Sequence, residues 1–238
     1  MKVEIWSDFV CPWCYIGKRR FESALERFAG RDGVEVVYRS FELNPESERD
    51  GNPGVIDMLA EKYGMSREQA AERVRMVTEL AGNEGLVYHM DRAIQTNTFD
   101  AHRLAHFAAA RGKLKEMTER LLKAHFTDSL HLGDSQVLAD LAGEVGLDRA
   151  EALEALEGGA YAEQVRQDER EAAMLGVRGV PFFVFNRKYA VSGAQPAEVF
   201  ARVLEQTWSE ERPLVVAGEE NEAAACGADG CELPGKKE

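Results

Sequence analysis

Residues 2–17 read KVEIWSDFVCPWCYIG, and the order of elements within them decides the fold. Residues 2–7 alternate polar and apolar, the period of a half-buried strand. Pro12 stands where a helix begins, since its fixed φ and missing N–H suit the first helical position. Phe21, Leu25 and Phe28 then follow at helical spacing, and Gly30 and Gly33 are expected to close that helix. Residues 34–41 (VEVVYRSF) are β-branched and aromatic, a second strand. Strand, helix and strand within about forty residues make a βαβ unit and the start of a parallel sheet.

Cys11-Pro12-Trp13-Cys14 lies at the junction of the first strand and first helix. Unpaired N–H groups and the macrodipole at a helix N-terminus favour a thiolate. The thiolate is the attacking species in disulfide exchange. Cys11, at the helix start, is therefore read as the exposed nucleophile, and Cys14, one turn inward, as the resolving thiol. The competing reading is a zinc knuckle, which needs two further ligands.

The chain then changes character. From Val55 to about Gly176 the patterns are helical, broken at Gly82–Gly85, Gly112, Gly133, Gly146 and Gly158–Gly159. Residues 181–185 (PFFVF) and 189–193 (YAVSG) read as a hairpin, followed by an amphipathic helix over 197–208. Four segments result: 1–48 and 176–208 as two parts of one α/β domain, 49–175 as a helical insertion, and 209–238 as a mobile acidic tail. The tail has eight acids and three bases and carries Cys226 and Cys231, a C-x₄-C pair. Three readings of that pair stand side by side: incidental thiols, half of a Cys₄ zinc site with Cys11 and Cys14, or a redox shuttle exchanging with them. A flexible coil over 209–226 spans roughly 23 Å, enough to cross a small domain.

Composition narrows the function. The 238 residues hold 29 Lys and Arg against 42 Asp and Glu, a net charge of −13, which disfavours binding to nucleic-acid backbones. No stretch approaches a membrane span, and Glu4 and Asp8 interrupt the apolar start, so no secretory leader and a cytoplasmic location are expected. Four cysteines in two close pairs, in a chain long enough to bury a core, point to catalytic, redox or metal chemistry rather than structural disulfides. No glycine-rich nucleotide loop follows a strand, so electrons are expected from an external dithiol, glutathione or a redox partner protein, with no bound cofactor or metal. His102 and His106, four apart, are read as solvated or at the core edge, and Lys18-Arg19-Arg20 as a solvated helix face.

SDFVCPWCYIG (7–17), FELNP (41–45), LGVRGVPFFVF (175–185) and KYAVSGAQ (188–195), flanking a helical block, resemble the DsbA-like thioredoxin-fold oxidoreductases, and within them the FrnE subgroup. The resemblance implies a thioredoxin fold interrupted by an α-helical insertion, with a C-terminal extension. By pattern alone Val180-Pro181 is either a trans proline opening a strand or a cis proline beside the dithiol; the resemblance implies the cis form, with Pro181 facing Cys11. Val180 and Pro181 are read as presenting the substrate, and Trp13 as part of an apolar rim that binds it. The implied activity is thiol–disulfide exchange on disulfide-containing proteins or small molecules, with a part in oxidative-stress defence. Two departures stand out. Trp13 replaces the histidine found inside the motif of periplasmic relatives, so a less oxidising couple is expected. Ile5 occupies the place, six residues before the first cysteine, where many thioredoxin-fold enzymes carry a buried acid. Asp8 is the nearest carboxylate, either a proton acceptor for Cys14 or a residue that caps the helix or orders the loop. A glutathione-dependent isomerase similar to 2-hydroxychromene-2-carboxylate isomerase is the other enzymatic reading, and a zinc-bound or redox-sensing binding protein the non-enzymatic one.

Overall fold

A computed structural model describes residues 1–50, 54–211, 225–227 and 230–232. Strand β1 (Lys2–Ser7) leads into helix α1 (Pro12–Arg27) and then strand β2 (Glu35–Ser40). β1 and β2 pair in parallel, from Lys2 opposite Glu35 to Ser7 opposite Ser40. The helical block follows as α2 (Val55–Tyr63), α3 (Arg67–Asn83), α4 (Phe99–Ala109), α5 (Leu114–Phe126), α6 (Ser135–Glu144), α7 (Arg149–Glu157) and α8 (Ala162–Met174). The chain then returns as β3 (Phe182–Phe185), β4 (Tyr189–Ser192) and α9 (Ala197–Glu211). The sheet order is β2-β1-β3-β4, with β3 antiparallel to both of its neighbours. This is the α/β architecture of a thioredoxin fold with a helical insertion between β2 and β3.

β1 is central because both of its faces are covered. Val3 and Ile5 point to one side, where they pack with Phe21 of α1, Phe183 and Phe185 of β3, and Phe200 of α9. Trp6 points to the other, against Ala172 and Val177, and its indole N–H donates to the Asp168 carbonyl at 2.9 Å. Glu4 shares that second face and is kept ionised by Arg39 and Arg187, whose guanidinium N–H groups each donate to Oε1 at 2.6 Å. Burial alone would raise its pKa; the two arginines overcome that and lower it.

The helical block has its own core around Leu104, Met117, Leu121, Leu122 and Phe126. Its helices start on side chains the sequence supplies. Ser66 and Gln69 form a capping box on α3, and Asp134 and Asp148 accept the first free N–H groups of α6 and α7. That core extends onto Tyr15 and Ile16 of α1, which joins the two regions behind the dithiol.

Two expectations are corrected by the packing. Gly30 and Gly33 do not cap α1, which ends at Arg27 with Phe28 as its C-cap; they make room for Trp208, whose ring an added Cβ would meet at 2.7 and 2.6 Å. The last helix runs on to Glu211, so Ser209, Glu210 and Glu211 belong to α9 and not to the tail. The tail expected over 209–238 otherwise lies outside the described residues, apart from the short strands β5 (Ala225–Gly227) and β6 (Gly230–Glu232). Among the described residues no helix is long and apolar enough to cross a membrane.

Candidate active site

After β1 the chain turns through Asp8–Val10, and Cys11 N–H donates to the Asp8 carbonyl at 3.2 Å. Cys11 is the N-cap of α1, Pro12 is its first residue, and no acid stands in the first turn to offset the positive end of the helix. Cys11 and Cys14 are both free thiols. Cys11 Sγ lies 3.5 Å from the Val180 carbonyl oxygen, and Cys14 Sγ accepts from Asp8 N–H at 3.4 Å. Cys11 is not the exposed residue the sequence suggested. Cys11 is 4% exposed and Cys14 2%, because the Val180–Pro181 segment closes over the helix start, whereas Trp13 between them is 39% exposed. Burial, then the adjacent Cys11, pushes the Cys14 thiol well above its ordinary pKa.

The Val180–Pro181 peptide is cis, and Pro181 O accepts from Gly193 N–H at 2.8 Å. Gly17 allows the close approach of α1 to this loop: an added Cβ would stand 2.9 Å from Pro181 Cγ. A groove of about 840 Å³ opens over Cys11, Pro12 and Trp13, between Val180 on one wall and Leu43, Met58 and Tyr63 on the other. Trp13, Leu43 and Tyr63 give it an apolar rim.

The helical block grips the motif directly. Tyr88, ahead of α4, donates its hydroxyl to the Pro12 carbonyl at 2.8 Å. Lys18-Arg19-Arg20 is no solvated face. Lys18 is 3% exposed and donates to Glu22 at 2.8 Å and to Glu119 of α5 at 2.5 Å. Arg19 also pairs with Glu119, and Tyr15 donates its hydroxyl to the same carboxylate at 2.6 Å. Arg20 pairs with Glu84 at 2.6 Å and donates to the Ala194 carbonyl at 2.8 Å. Burial works against the Glu119 charge, but Arg19, Lys18 and Tyr15 hold its carboxyl down at about 2.

Asp8 is 1% exposed and does not cap α1. Its Oδ2 accepts from Leu43 N–H at 2.8 Å, which orders the loop after β2. Its Oδ1 faces His102 Nε2 at 3.5 Å. His102, expected at the surface or the core edge, is 2% exposed. Its signal was available in the sequence: AHRLAHFAAA is apolar almost all round, and such a helix is buried. His106 turns elsewhere, to Ser40 Oγ and Asp168 Oδ2, both at 3.1 Å. Cys226 and Cys231 stand directly opposite one another in the β5–β6 ladder; their side chains lie outside the described structure. Among the described residues, no cluster of three or more His, Cys, Asp or Glu side chains is arranged to hold a metal.

Residues 2–205 match one family model, described as the DSBA-like thioredoxin domain. The chain belongs to the DsbA-like family. A probable DsbA oxidoreductase of Streptomyces coelicolor is 49% identical, with a TM-score of 0.85 over 99% of this chain and 100% of that one. The Bacillus subtilis (strain 168) protein YwbO, itself uncharacterised, is 30% identical over 214 residues, 85% of this chain and 94% of its own. A cytosolic disulfide reductase of Pseudomonas aeruginosa, DsbM, shares the fold at a TM-score of 0.63 and 19% identity, over 88% of this chain and 100% of its own. DsbA-like membership supports an oxidoreductase acting on disulfides.

Proposed function

We propose that this chain is a cytoplasmic thiol–disulfide oxidoreductase, working as a reductase or isomerase through Cys11 and Cys14. The observation that carries this reading is the placement of Cys11 at the N-cap of α1, 3.5 Å from the Val180 carbonyl and beneath an open groove. Cys11 thiolate attacks one sulfur of a substrate disulfide and expels the other as a thiolate. Cys14 then loses its proton, attacks Cys11 Sγ and releases the second substrate thiolate. The enzyme dithiol is oxidised to a disulfide and the substrate is reduced by the same two electrons. An external dithiol, glutathione or a redox partner protein restores Cys11 and Cys14.

The apolar rim of Trp13, Leu43 and Tyr63 suits apolar side chains flanking a disulfide in a protein substrate. Trp13 brings no charge to the motif, which fits a couple that donates electrons in a reducing compartment. Reduction of insulin by a small dithiol tests the reading. The wild type accelerates it, Cys11→Ser abolishes the acceleration, and Cys14→Ser stalls at the mixed disulfide. Equal rates for wild type and Cys11→Ser overturn it.

Cys226 and Cys231 enter the proposal as an auxiliary pair that exchanges with Cys11 and Cys14. Directly opposed residues in an antiparallel ladder have Cα atoms about 4.5–5.5 Å apart, within the span a disulfide bridges. A tethered dithiol acts at about millimolar effective concentration. The double variant Cys226→Ser/Cys231→Ser is expected to turn over more slowly, and unchanged kinetics remove the pair from the scheme.

A further inference from the structure

Resolution of the mixed disulfide needs Cys14 to lose a proton at the moment when the substrate covers Cys11. Cys14 is buried, and its pKa is raised by that burial and by Cys11, so the proton needs an acceptor and a path. The groove in front is where the substrate is bound.

A second cavity, of about 160 Å³, lies behind the dithiol between β2 and helices α4 and α5. Ser7, Ser40, His102, His106 and Thr118 give its wall polar groups, and Ala109 of its lining is exposed. That volume and lining accommodate several water molecules. No residue lines both this cavity and the substrate groove. Asp8 lines the groove, His102 lines the cavity, and their side chains meet at 3.5 Å in the partition. Asp8 Oδ1 and His102 Nε2 are both buried without a hydrogen-bond partner, although each faces the other. Cys14 Sγ rests on the backbone N–H of that same Asp8, at 3.4 Å.

We propose that Asp8 and His102 form a proton relay that carries the Cys14 proton away from the dithiol into the rear cavity, while the groove in front still holds the mixed disulfide. The proposal rests on the assignment of Cys11 and Cys14 made above. Cys14–SH gives its proton to the Asp8 carboxylate as its sulfur attacks Cys11 Sγ, and the second substrate thiolate leaves. The proton passes from Asp8 Oδ1 to His102 Nε2, and the imidazolium releases its Nδ1 proton to water in the rear cavity. The ring is left as the Nε2–H tautomer, and proton exchange between its two nitrogens through water restores the Nδ1–H form for the next turnover, with no electrons passing through the relay.

The other titratable groups around this pair are paired elsewhere or closed off from both cavities. Glu42 acts on His102 from the loop after β2, and its carboxylate is paired with Arg166 at 2.6 Å. His125 of α5 interacts with Asp8 but is enclosed and lines neither cavity. His106 is held by Asp168 of α8. His102 is thus a positioning and proton-carrying residue that acts through Asp8.

An aromatic disulfide that releases one coloured thiol at each step separates Cys11 attack from Cys14 resolution. In His102→Gln the first release is expected at the wild-type rate and the second about 100-fold slower, a modest general acid–base effect. The pH profile of the second release changes with it. Imidazole in the buffer is expected to restore the second release in His102→Gly. Ala109→Phe, which puts a bulky ring on the lining of the rear cavity, away from the dithiol, is expected to slow the second release alone. A second release in His102→Gln with the wild-type rate and pH profile overturns the relay. So does an equal slowing of both steps, which marks His102 as purely structural. Absence of a first release in the wild type instead overturns the dithiol assignment itself, and the relay falls with it.

Discussion

The Tyr88 hydroxyl donates to the Pro12 carbonyl at 2.8 Å, so a residue just ahead of α4 holds the middle of the dithiol motif. Its ring stacks on Phe126 with centroids 4.5 Å apart. Tyr88→Phe keeps the stack and removes only the hydroxyl. A loss of about 1 kcal/mol is expected by urea denaturation, with slower reduction of substrate. Unchanged stability and rate would mean that the bond contributes nothing to holding the motif.

Gly17→Ala sets two effects against each other. Alanine is the better helix former by about 1 kcal/mol. Its Cβ, however, would lie 2.9 Å from Pro181 Cγ and 3.4 Å from Ala194. Overpacking at a tight contact costs about 1–3 kcal/mol, so a lower melting temperature is expected, together with lost activity as Pro181 moves from Cys11. A variant that melts higher at full activity contradicts this account.

Glu119→Gln is expected to loosen the helical block from α1. The substitution leaves Lys18, 3% exposed, with Glu22 as its remaining carboxylate partner. Breaking a fully buried pair costs about 3–5 kcal/mol; Glu119 is 33% exposed, so about 2 kcal/mol is expected after solvent screening. The carboxyl is held down at about 2 against an ordinary 4.5, so its stabilisation is complete above pH 4.5 and lost as pH falls toward 2. Denaturation across that acid range should show a flatter pH dependence in the variant than in the wild type.

His125 acts in a different window. Burial lowers its pKa to about 4, only partly opposed by Asp8, and neither ring nitrogen has a hydrogen-bond partner. Between pH 6.5 and 4 the unfolded chain binds a proton that the folded chain refuses, so wild-type stability falls as pH falls. About 2 kcal/mol is expected between pH 7.5 and 5. His125→Leu should abolish that part of the slope; an identical slope in the variant places the acid sensitivity elsewhere.

What could be read from the sequence was local. Alternation over Lys2–Ser7, the position of Pro12 and the aromatic spacing of α1 depend on near neighbours, and they located the dithiol at the strand–helix junction. Pairings across the domain left no such trace. Lys18 looked solvated because its partner Glu119 is 101 residues away, and burial of that pair is a property of how α5 lies on α1. The spacing of His102 from His106 says nothing of its actual neighbour, Asp8, which belongs to another part of the chain. Cys11 was expected at the surface because no local pattern shows that Val180, far along the chain, closes over it.

The position of the helical block between β2 and β3 also orders events on the ribosome. β1 is an inner strand, yet its partner β3 ends at Phe185, long after Cys14 has been made. At synthesis rates of about 5–20 residues per second, roughly 10–35 s separate the two. Throughout that interval the nascent chain displays both thiols without the proline loop that later shields them. A newly made copy is therefore most vulnerable to oxidants before it is complete, and its survival in reduced form depends on the thiol buffer around the ribosome rather than on its own fold.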